Sequence, residues 1–189
     1  MEKFGYKIEV IFKLCFLMVF VYLVNLLIDY RLLFFGIRPG DPASLPNIFL
    51  APWLHGSWGH LINNLVGFAV FSALCILRGT KFFAQSSLII ITVTGLLVWA
   101  FGRSGAIHIG ASGWIFGLWS LSIAIACFHR SVLNILIALF VAFVYGGMIW
   151  GVLPSNPHIS FESHLFGAIS GVLAAYMLSP KQRASGKRR

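Results

Sequence analysis

Apolar residues fill six long segments of the chain with few polar interruptions. Each segment is close to the ~20 residues that a helix needs to cross a bilayer. Their hydrophobicity is continuous, whereas the strands of an outer-membrane barrel alternate between apolar and polar positions. The pattern therefore predicts an all-α polytopic membrane protein. The six predicted transmembrane helices cover roughly residues 8–28, 59–77, 82–101, 111–128, 131–150 and 161–179.

The composition agrees with a membrane protein. Hydrophobic residues make up 59% of the 189 positions and charged residues only 10%, and the mean hydropathy is +0.89. Such a chain has too little polar surface to cover a water-soluble globule. The six spans use nearly the whole sequence, so we expect one membrane domain over residues 1–189 and no separate soluble domain.

The basic residues predict the orientation of the bundle, because short loops rich in Lys and Arg stay on the cytoplasmic side. With both termini cytoplasmic, that side carries Lys3, Lys7, Arg78, Lys81, Arg130 and, in a basic tail at 180–189, Lys181, Arg183, Lys187, Arg188 and Arg189. The opposite, outer side then carries only Arg31, Arg38 and Arg103. Topology and attraction to an anionic bilayer explain the net charge of +9. A nucleic-acid partner is not expected, since it would need a basic face on a soluble domain.

The longest connection, about residues 29–58, is rich in proline and contains Trp53. Its length and its aromatic residues predict a structured loop lying partly in the outer interface, where tryptophan is favoured. The three cysteines, Cys15, Cys75 and Cys127, lie within spans and show no C-x-x-C spacing. We therefore expect small apolar packing residues and no disulfide.

Polar residues within the spans are few, and a polar group in a membrane is a functional hypothesis by default. His60 and Asn64 stand four residues apart near the start of span 2, and thus on one helix face. Ser112 stands near the start of span 4 and His164 near the start of span 6. All three spans begin at the outer side, so the four side chains lie at similar shallow depth. The sequence predicts that they converge on one water-accessible pocket.

The chemistry that such a pocket supports is hydrolysis of a peptide bond. Ser112 attacks the scissile carbonyl, and His164 takes its proton and later delivers it to the leaving amine. The negative oxygen of the intermediate needs hydrogen-bond donors. The side chains of His60 and Asn64 supply two, and the backbone N–H of Ser112 at a helix N-terminus supplies a third.

Together these residues resemble the rhomboid family of intramembrane serine proteases over essentially all six spans. The matching motifs are His55 followed by His60-x-x-x-Asn64, then Gly110-Ala-Ser112-Gly113, then His164-x-x-Gly167-x-x-x-Gly171. The resemblance implies a Ser112–His164 dyad, an oxyanion hole, and close packing of span 6 on span 4 through glycines. It also implies cleavage of transmembrane substrates near the outer end of their helix, with access between spans 2 and 5 and without a cofactor or metal.

Two positions depart from the family pattern. Many members carry a Trp-Arg pair in the first loop, whereas this chain has Trp53 and Arg38 separately, which leaves the anchoring of that loop open. Some bacterial members place a tyrosine on the catalytic histidine where this chain has Phe116. A phenyl ring still stacks on an imidazole, so the dyad is retained.

Other polar residues near these motifs have structural interpretations. His55 is expected to order the first loop and to support His60. Glu162 lies two residues before His164, so we expect it to face elsewhere and to stabilise the N-terminus of span 6. His108 and His158 lie in loops and are expected to be solvated or interfacial.

Several alternatives remain at this stage. A small-residue helix interface explains the glycines near Ser112 alone. A metal or haem site at His55, His60 and His164 leaves the Gly-Ala-Ser-Gly context unexplained. A rhomboid-like pseudoprotease that binds transmembrane clients has the same fold, and a small transporter lacks support in repeated broken helices. The charge pattern suits a bacterial inner membrane, while substrates and oligomeric state stay open.

Overall fold

The computed structural model describes residues 4–154 and 160–179. The predicted all-α architecture is confirmed, with one isolated bridge and no sheet in these ranges. Of the residues discussed above, Lys3, His158 and the basic tail at 180–189 lie outside the described residues. The helices are α1 (Phe4–Leu27), α2 (Trp58–Ile76), α3 (Thr80–Phe101), α4 (Ser112–Phe128), α5 (Val132–Tyr145) and α6 (Phe161–Leu178).

Within residues 4–154 and 160–179, five helical segments are long and apolar enough to cross a membrane, and α4 is the exception among the α-helices. It has 17 residues, or about 25 Å at ~1.5 Å per residue, which is short of a hydrocarbon core of ~30 Å. This helix is central, packing against α2, α3, α5 and α6, and most of its side chains are buried. A helix surrounded by protein does not have to match the thickness of the lipid.

The fifth span differs from the prediction of one continuous helix over 131–150. The α-helix stops at Tyr145 and a 3₁₀ segment follows over Gly146–Val152. Gly146 and Gly147 are poor helix formers. In addition, the Trp119 indole N–H donates to the Tyr145 carbonyl at 3.2 Å, which satisfies an acceptor at the end of the helix.

The backbones of α4 and α6 touch each other. A Cβ built on Gly167 would overlap the carbonyl of Gly113, and one on Gly171 would overlap the carbonyl of Gly117. The Ser120 hydroxyl of α4 also donates to the Ala168 carbonyl of α6 at 2.7 Å. Only glycine permits such an approach, because any side chain would separate the two helices.

The first loop is built from three 3₁₀ segments, Arg31–Phe35, Pro42–Phe49 and Ala51–Trp53. Arg38 organises it: its Nε donates to the Asp41 carboxylate at 2.7 Å, and its guanidinium lies 4.4 Å from the centre of the Phe34 ring.

A tryptophan outside the first loop anchors it to α3. The Trp99 indole N–H donates to the Asp41 carbonyl at 2.8 Å, and the Gly40 N–H donates to the Trp99 carbonyl at 2.9 Å. Ile48 of the loop also fills the space left by Gly95 in α3. Arg38 and Trp99 thus hold a loop that lacks an adjacent Trp-Arg pair.

The cysteines differ in their surroundings. Cys75 is fully buried and Cys15 is partly buried, and both thiols are free. Cys127 is exposed near the end of α4, so it is not the packing residue that was expected there. Its helix has left the centre of the bundle there, since Phe128 and His129 are exposed as well.

We expect Gly171→Ala to destabilise the protein. The added methyl group would overlap the α4 backbone, and overpacking of this kind costs about 1–3 kcal/mol. Gly59→Ala is the matched control, since a Cβ at Gly59 in α2 meets no atom within 4 Å. Thermal unfolding in detergent should show a clear loss for Gly171→Ala and none for Gly59→Ala; equal melting temperatures would contradict the close contact.

Candidate active site

A cavity of roughly 770 Å³ opens beside the N-terminal ends of α2, α4 and α6. All four of the predicted polar residues line it, namely His60, Asn64, Ser112 and His164. The remaining wall is largely apolar and includes Phe71 from α2 and Met148 from the segment after α5. The cavity therefore combines a polar end with an apolar wall.

The glycine contact between α4 and α6 brings the candidate nucleophile and base to the same place. Ser112 is the first residue of α4, and His164 lies in the first turn of α6. Their neighbours are in close contact, because a Cβ on Gly113 would lie 3.1 Å from the Ser163 carbonyl. Both Ser112 and His164 are partly exposed to the cavity.

The His164 ring is held on two sides. Its Nδ1 lies 2.9 Å from the Gly151 carbonyl, which only accepts hydrogen bonds, so Nδ1 carries the proton. In the neutral ring Nε2 is then the basic nitrogen. Phe116 stacks on the imidazole with ring centres 4.1 Å apart and an angle of 8° between the planes. The predicted stacking of a phenyl ring is therefore present.

The contact of Gly151 with His164 was not predicted from the sequence. Its contribution is a main-chain carbonyl, which leaves no side-chain signature. The one available signal was its lack of a side chain: a Cβ at this position would lie 2.7 Å from Cζ of Phe116 and would disturb the stack on His164.

Gly110, Asn64 and His60 form the opposite side of the polar end. Gly110 has a φ of +101°, and a Cβ there would lie 2.5 Å from His60 Nε2 and 3.3 Å from Asn64 Nδ2. Asn64 is 5% exposed, and its Nδ2 finds no hydrogen-bond partner in the described structure. A buried amide donor without a partner is costly, and it is available to an anionic oxygen.

His55 lies behind His60, with ring centres 5.1 Å apart. It is fully buried and its Nδ1 is 3.2 Å from the Trp53 carbonyl. Burial lowers the pKa of His55 to about 4, and the nearby His60 acts in the same direction. The ring is therefore neutral at physiological pH and supports His60 from the first loop.

The structure corrects the expectation for His108 and adds a contact to the one for Glu162. His108 is not solvated: it is 3% exposed, and its Nδ1 lies 2.6 Å from the Ser160 hydroxyl. The reason is a β-bridge to Ile37 that holds the loop down. Glu162 is in the first turn of α6, where an acidic residue is favourable, and it also lies 3.6 Å from Arg103.

The His, Cys, Asp and Glu side chains of residues 4–154 and 160–179 form no group of three that could hold a metal ion. His55 and His60 adjoin each other, while His164 is held by Gly151 and Phe116. The arrangement suits acyl transfer, because it offers a hydroxyl, an oriented imidazole and free N–H donors.

The fold and the comparison with known proteins indicate the same class of protein. The chain is an integral membrane protein with a rhomboid-type helical bundle, and it belongs to the rhomboid family, since the Rhomboid domain model matches residues 42–181.

The relatives include bacterial and plant proteins. The chain is 38% identical over 175 residues to an uncharacterized protein of Mycobacterium tuberculosis, covering 88% of this chain and 73% of that protein. It is 36% identical over 156 residues to an uncharacterized protein of Mycobacterium leprae, covering 78% and 62%. It is also similar to Rhomboid-like protein 11, chloroplastic, of Arabidopsis thaliana, at 29% identity over 149 residues, 71% of this chain and 53% of the plant protein.

Gly110→Ala should damage the site rather than the fold. The new methyl group would press on His60 and Asn64, and the positive φ adds backbone strain. Gly105→Ala is the matched control, because Gly105 also has a positive φ (+79°) but a Cβ there would meet no atom within 4 Å. If Ser112 is the nucleophile that the sequence predicts, its labelling by a fluorophosphonate should fall at least tenfold for Gly110→Ala, as for removal of one oxyanion donor. Similar labelling of both variants would contradict the close approach.

Acid should destabilise the protein partly through His55. The unfolded chain binds a proton at this histidine below its ordinary pKa of 6.5, whereas the folded protein does so only near pH 4. The contribution of His55 to the free energy of unfolding is therefore fully present above pH 6.5. It is lost as the pH falls towards 4, and the loss is about 3 kcal/mol at most. His55→Asn keeps a donor near Nδ1 and removes the titration. Its melting temperature in detergent should fall less between pH 7 and pH 4 than that of the wild type; parallel curves would contradict the assignment.

Proposed function

We propose that the protein is an intramembrane serine endopeptidase that hydrolyses a peptide bond near the outer end of transmembrane substrate helices. Family membership supports a rhomboid-type membrane protein. The observation that carries the activity is the polar end of one cavity, where Ser112, a histidine with its Nδ1 satisfied, and an unpartnered Asn64 amide meet. A packing interface alone needs none of these groups.

In the first step, Ser112 Oγ attacks the scissile carbonyl carbon and its proton passes to His164 Nε2. The carbonyl oxygen becomes an oxyanion. Asn64 Nδ2 and the His60 ring are the side-chain donors for it, and the first-turn N–H of Ser112 has no acceptor within its helix. The positive end of the α4 dipole favours the same charge.

In the second step, the C–N bond breaks and the leaving amine takes the proton from His164. The carbonyl is now an ester of Ser112. A water molecule then attacks this ester, His164 accepts a proton from that water, and the carboxylic acid product leaves as Ser112 regains its hydrogen. The cavity that Ser112 and His164 line is large enough to admit this water molecule.

Two neighbours of His164 interact more strongly with its charged form, which both steps require. The Gly151 carbonyl accepts from Nδ1–H, and this bond strengthens when the ring gains a second proton. The Phe116 ring lies parallel to the imidazole, where its negative face attracts a cation. A backbone carbonyl and an aromatic ring thus take the place that a carboxylate has in a triad.

Substrate access between α2 and α5 is part of the proposal. α5 packs chiefly on α4, and on the α2 side the aromatic pair Phe71 and Tyr145, with ring centres 5.2 Å apart, borders the cavity. A substrate helix hides its peptide bonds in internal hydrogen bonds, so it has to unwind before Ser112 can reach a carbonyl. The proposal also includes the orientation predicted from the basic residues, with both termini cytoplasmic, and a location in the inner membrane of a bacterium.

Ser112→Ala tests the proposal. We expect the wild type in lipid vesicles to cut a transmembrane reporter near one end of its helix, and Ser112→Ala to lose at least about 10³-fold in rate, since the nucleophile is gone. Ser122→Ala is the matched control: Ser122 lies on the same helix, is buried, and bonds only the Leu118 carbonyl of its own helix among the described contacts.

The outcome separates two functions of the same fold. Fragments sized by mass spectrometry that disappear only in Ser112→Ala support the protease. A wild type that binds the reporter without cutting it would contradict the proposal and favour a client-binding pseudoprotease.

A further inference from the structure

A third histidine, His108, lines the cavity together with His60 and His164. It is 3% exposed, its Nδ1 lies 2.6 Å from the Ser160 hydroxyl, and its Nε2 has no hydrogen-bond partner in the described ranges. A buried polar ring that leaves one nitrogen unpaired is less favourable than an apolar side chain of similar size. The bond to Ser160 is a side-chain hydrogen bond that offsets part of this cost.

The His108 ring is presented from a fixed platform. Its backbone N–H donates to the Ile37 carbonyl at 2.9 Å, and its carbonyl accepts from the Ile37 N–H at 3.0 Å. Gly102 lies beside the ring, since a Cβ at that position would be 3.1 Å from His108 Nε2. His108 thus connects the anchored first loop to the start of α6.

Ser160 is the N-cap residue of α6, directly before the first residue of the helix. Its hydroxyl accepts from the Ser163 N–H at 3.2 Å and bonds the Ser163 hydroxyl at 2.8 Å. Its carbonyl accepts from the His164 N–H at 3.4 Å. The turn that carries His164 therefore starts at the residue that His108 holds.

The charged groups near His108 are Arg103 and Glu162, which lie 3.6 Å apart. Burial lowers the pKa of His108, and the Glu162 carboxylate partly opposes this; the Arg103 charge lowers the pKa again, while the nearby Arg103 main chain raises it. The ring is therefore neutral at physiological pH. A neutral imidazole and a hydroxyl can form the His108–Ser160 bond in either tautomer.

We propose that His108 is a positioning residue for the candidate base: through its bond to Ser160 it fixes the first turn of α6, and with it the direction in which His164 Nε2 points. His108 does not touch the reacting atoms. The consequence for catalysis rests on the proposed function, whereas the effect on the His164 ring does not.

The experiment compares substitutions that keep or remove the bonding nitrogen. His108→Ala removes the ring, His108→Asn places an amide near the position of Nδ1, and His108→Gln places it near Nε2. Ser160→Ala removes the partner without disturbing the bridge to Ile37, and so keeps the test informative if His108→Ala does not fold. His129→Ala is the control, since His129 is exposed at the opposite end of α4.

Two measurements are made on each folded variant. The first is the kcat and KM of reporter cleavage. The second is the ¹⁵N NMR spectrum of histidine-labelled protein in detergent, with the His164 signals assigned by their loss in His164→Gln. The spectrum reports the tautomer and environment of His164 and needs no catalytic activity.

We expect kcat to fall about tenfold or more in His108→Ala and Ser160→Ala with KM within about twofold, because small misplacements of a catalytic group are costly. The His164 signals should shift in both, His108→Asn should restore most of kcat and of the spectrum, and His108→Gln should not. Unchanged His164 signals in the two alanine variants, or equal behaviour of Asn and Gln, would overturn the inference. A wild type that does not cleave would overturn the proposed function alone, and the spectra would still decide the role of His108.

Discussion

Direct contact between the backbones of α4 and α6 is the constraint on which the site depends. Lipid tails are as apolar as leucine, so helices in a bilayer gain little from burying apolar surface and associate through close packing and hydrogen bonds instead. Gly113 and Gly117 on one helix and Gly167 and Gly171 on the other make that close packing possible. The same contact brings the first turns of α4 and α6 together, and with them the candidate nucleophile and base.

Polar groups inside the bundle divide into those with partners and those without. Most hydroxyls donate to carbonyls of their own or a neighbouring helix, as Ser120 and Ser170 do. By contrast, the Asn64 amide nitrogen is buried without a partner among the described residues, and it lies next to Gly110 at the cavity. Satisfied groups hold helices together, whereas an unsatisfied donor is ready for a ligand. Other buried groups without a partner in the part of the chain that the structure describes, such as Asn25 Nδ2 and Arg78 Nη2, lie away from this cavity, so the position of Asn64 at the cavity is what links it to the site.

Much of this architecture could be predicted from the sequence, because its signals are local. Span positions follow from hydrophobic runs, and the polar residues of α2, α4 and α6 stand out against apolar surroundings. The missed features are contacts between distant segments: His108 meets Ser160 across 52 positions, and the Gly151 carbonyl reaches His164 from the segment after α5. These contacts depend on the path of the loops, which the hydrophobic pattern of the sequence does not predict. The early end of α5 was signalled only by two adjacent glycines.

The acceptor that orients His164 belongs to the main chain, and this affects how variation can act on the site. Every amino acid carries the same carbonyl, so a codon change at position 151 leaves the acceptor chemically in place. Such a change acts only by altering the shape of the segment, for instance through a side chain that pushes Phe116 aside. A survey of side-chain substitutions would therefore report on the shape of this segment and not on the acceptor that it provides.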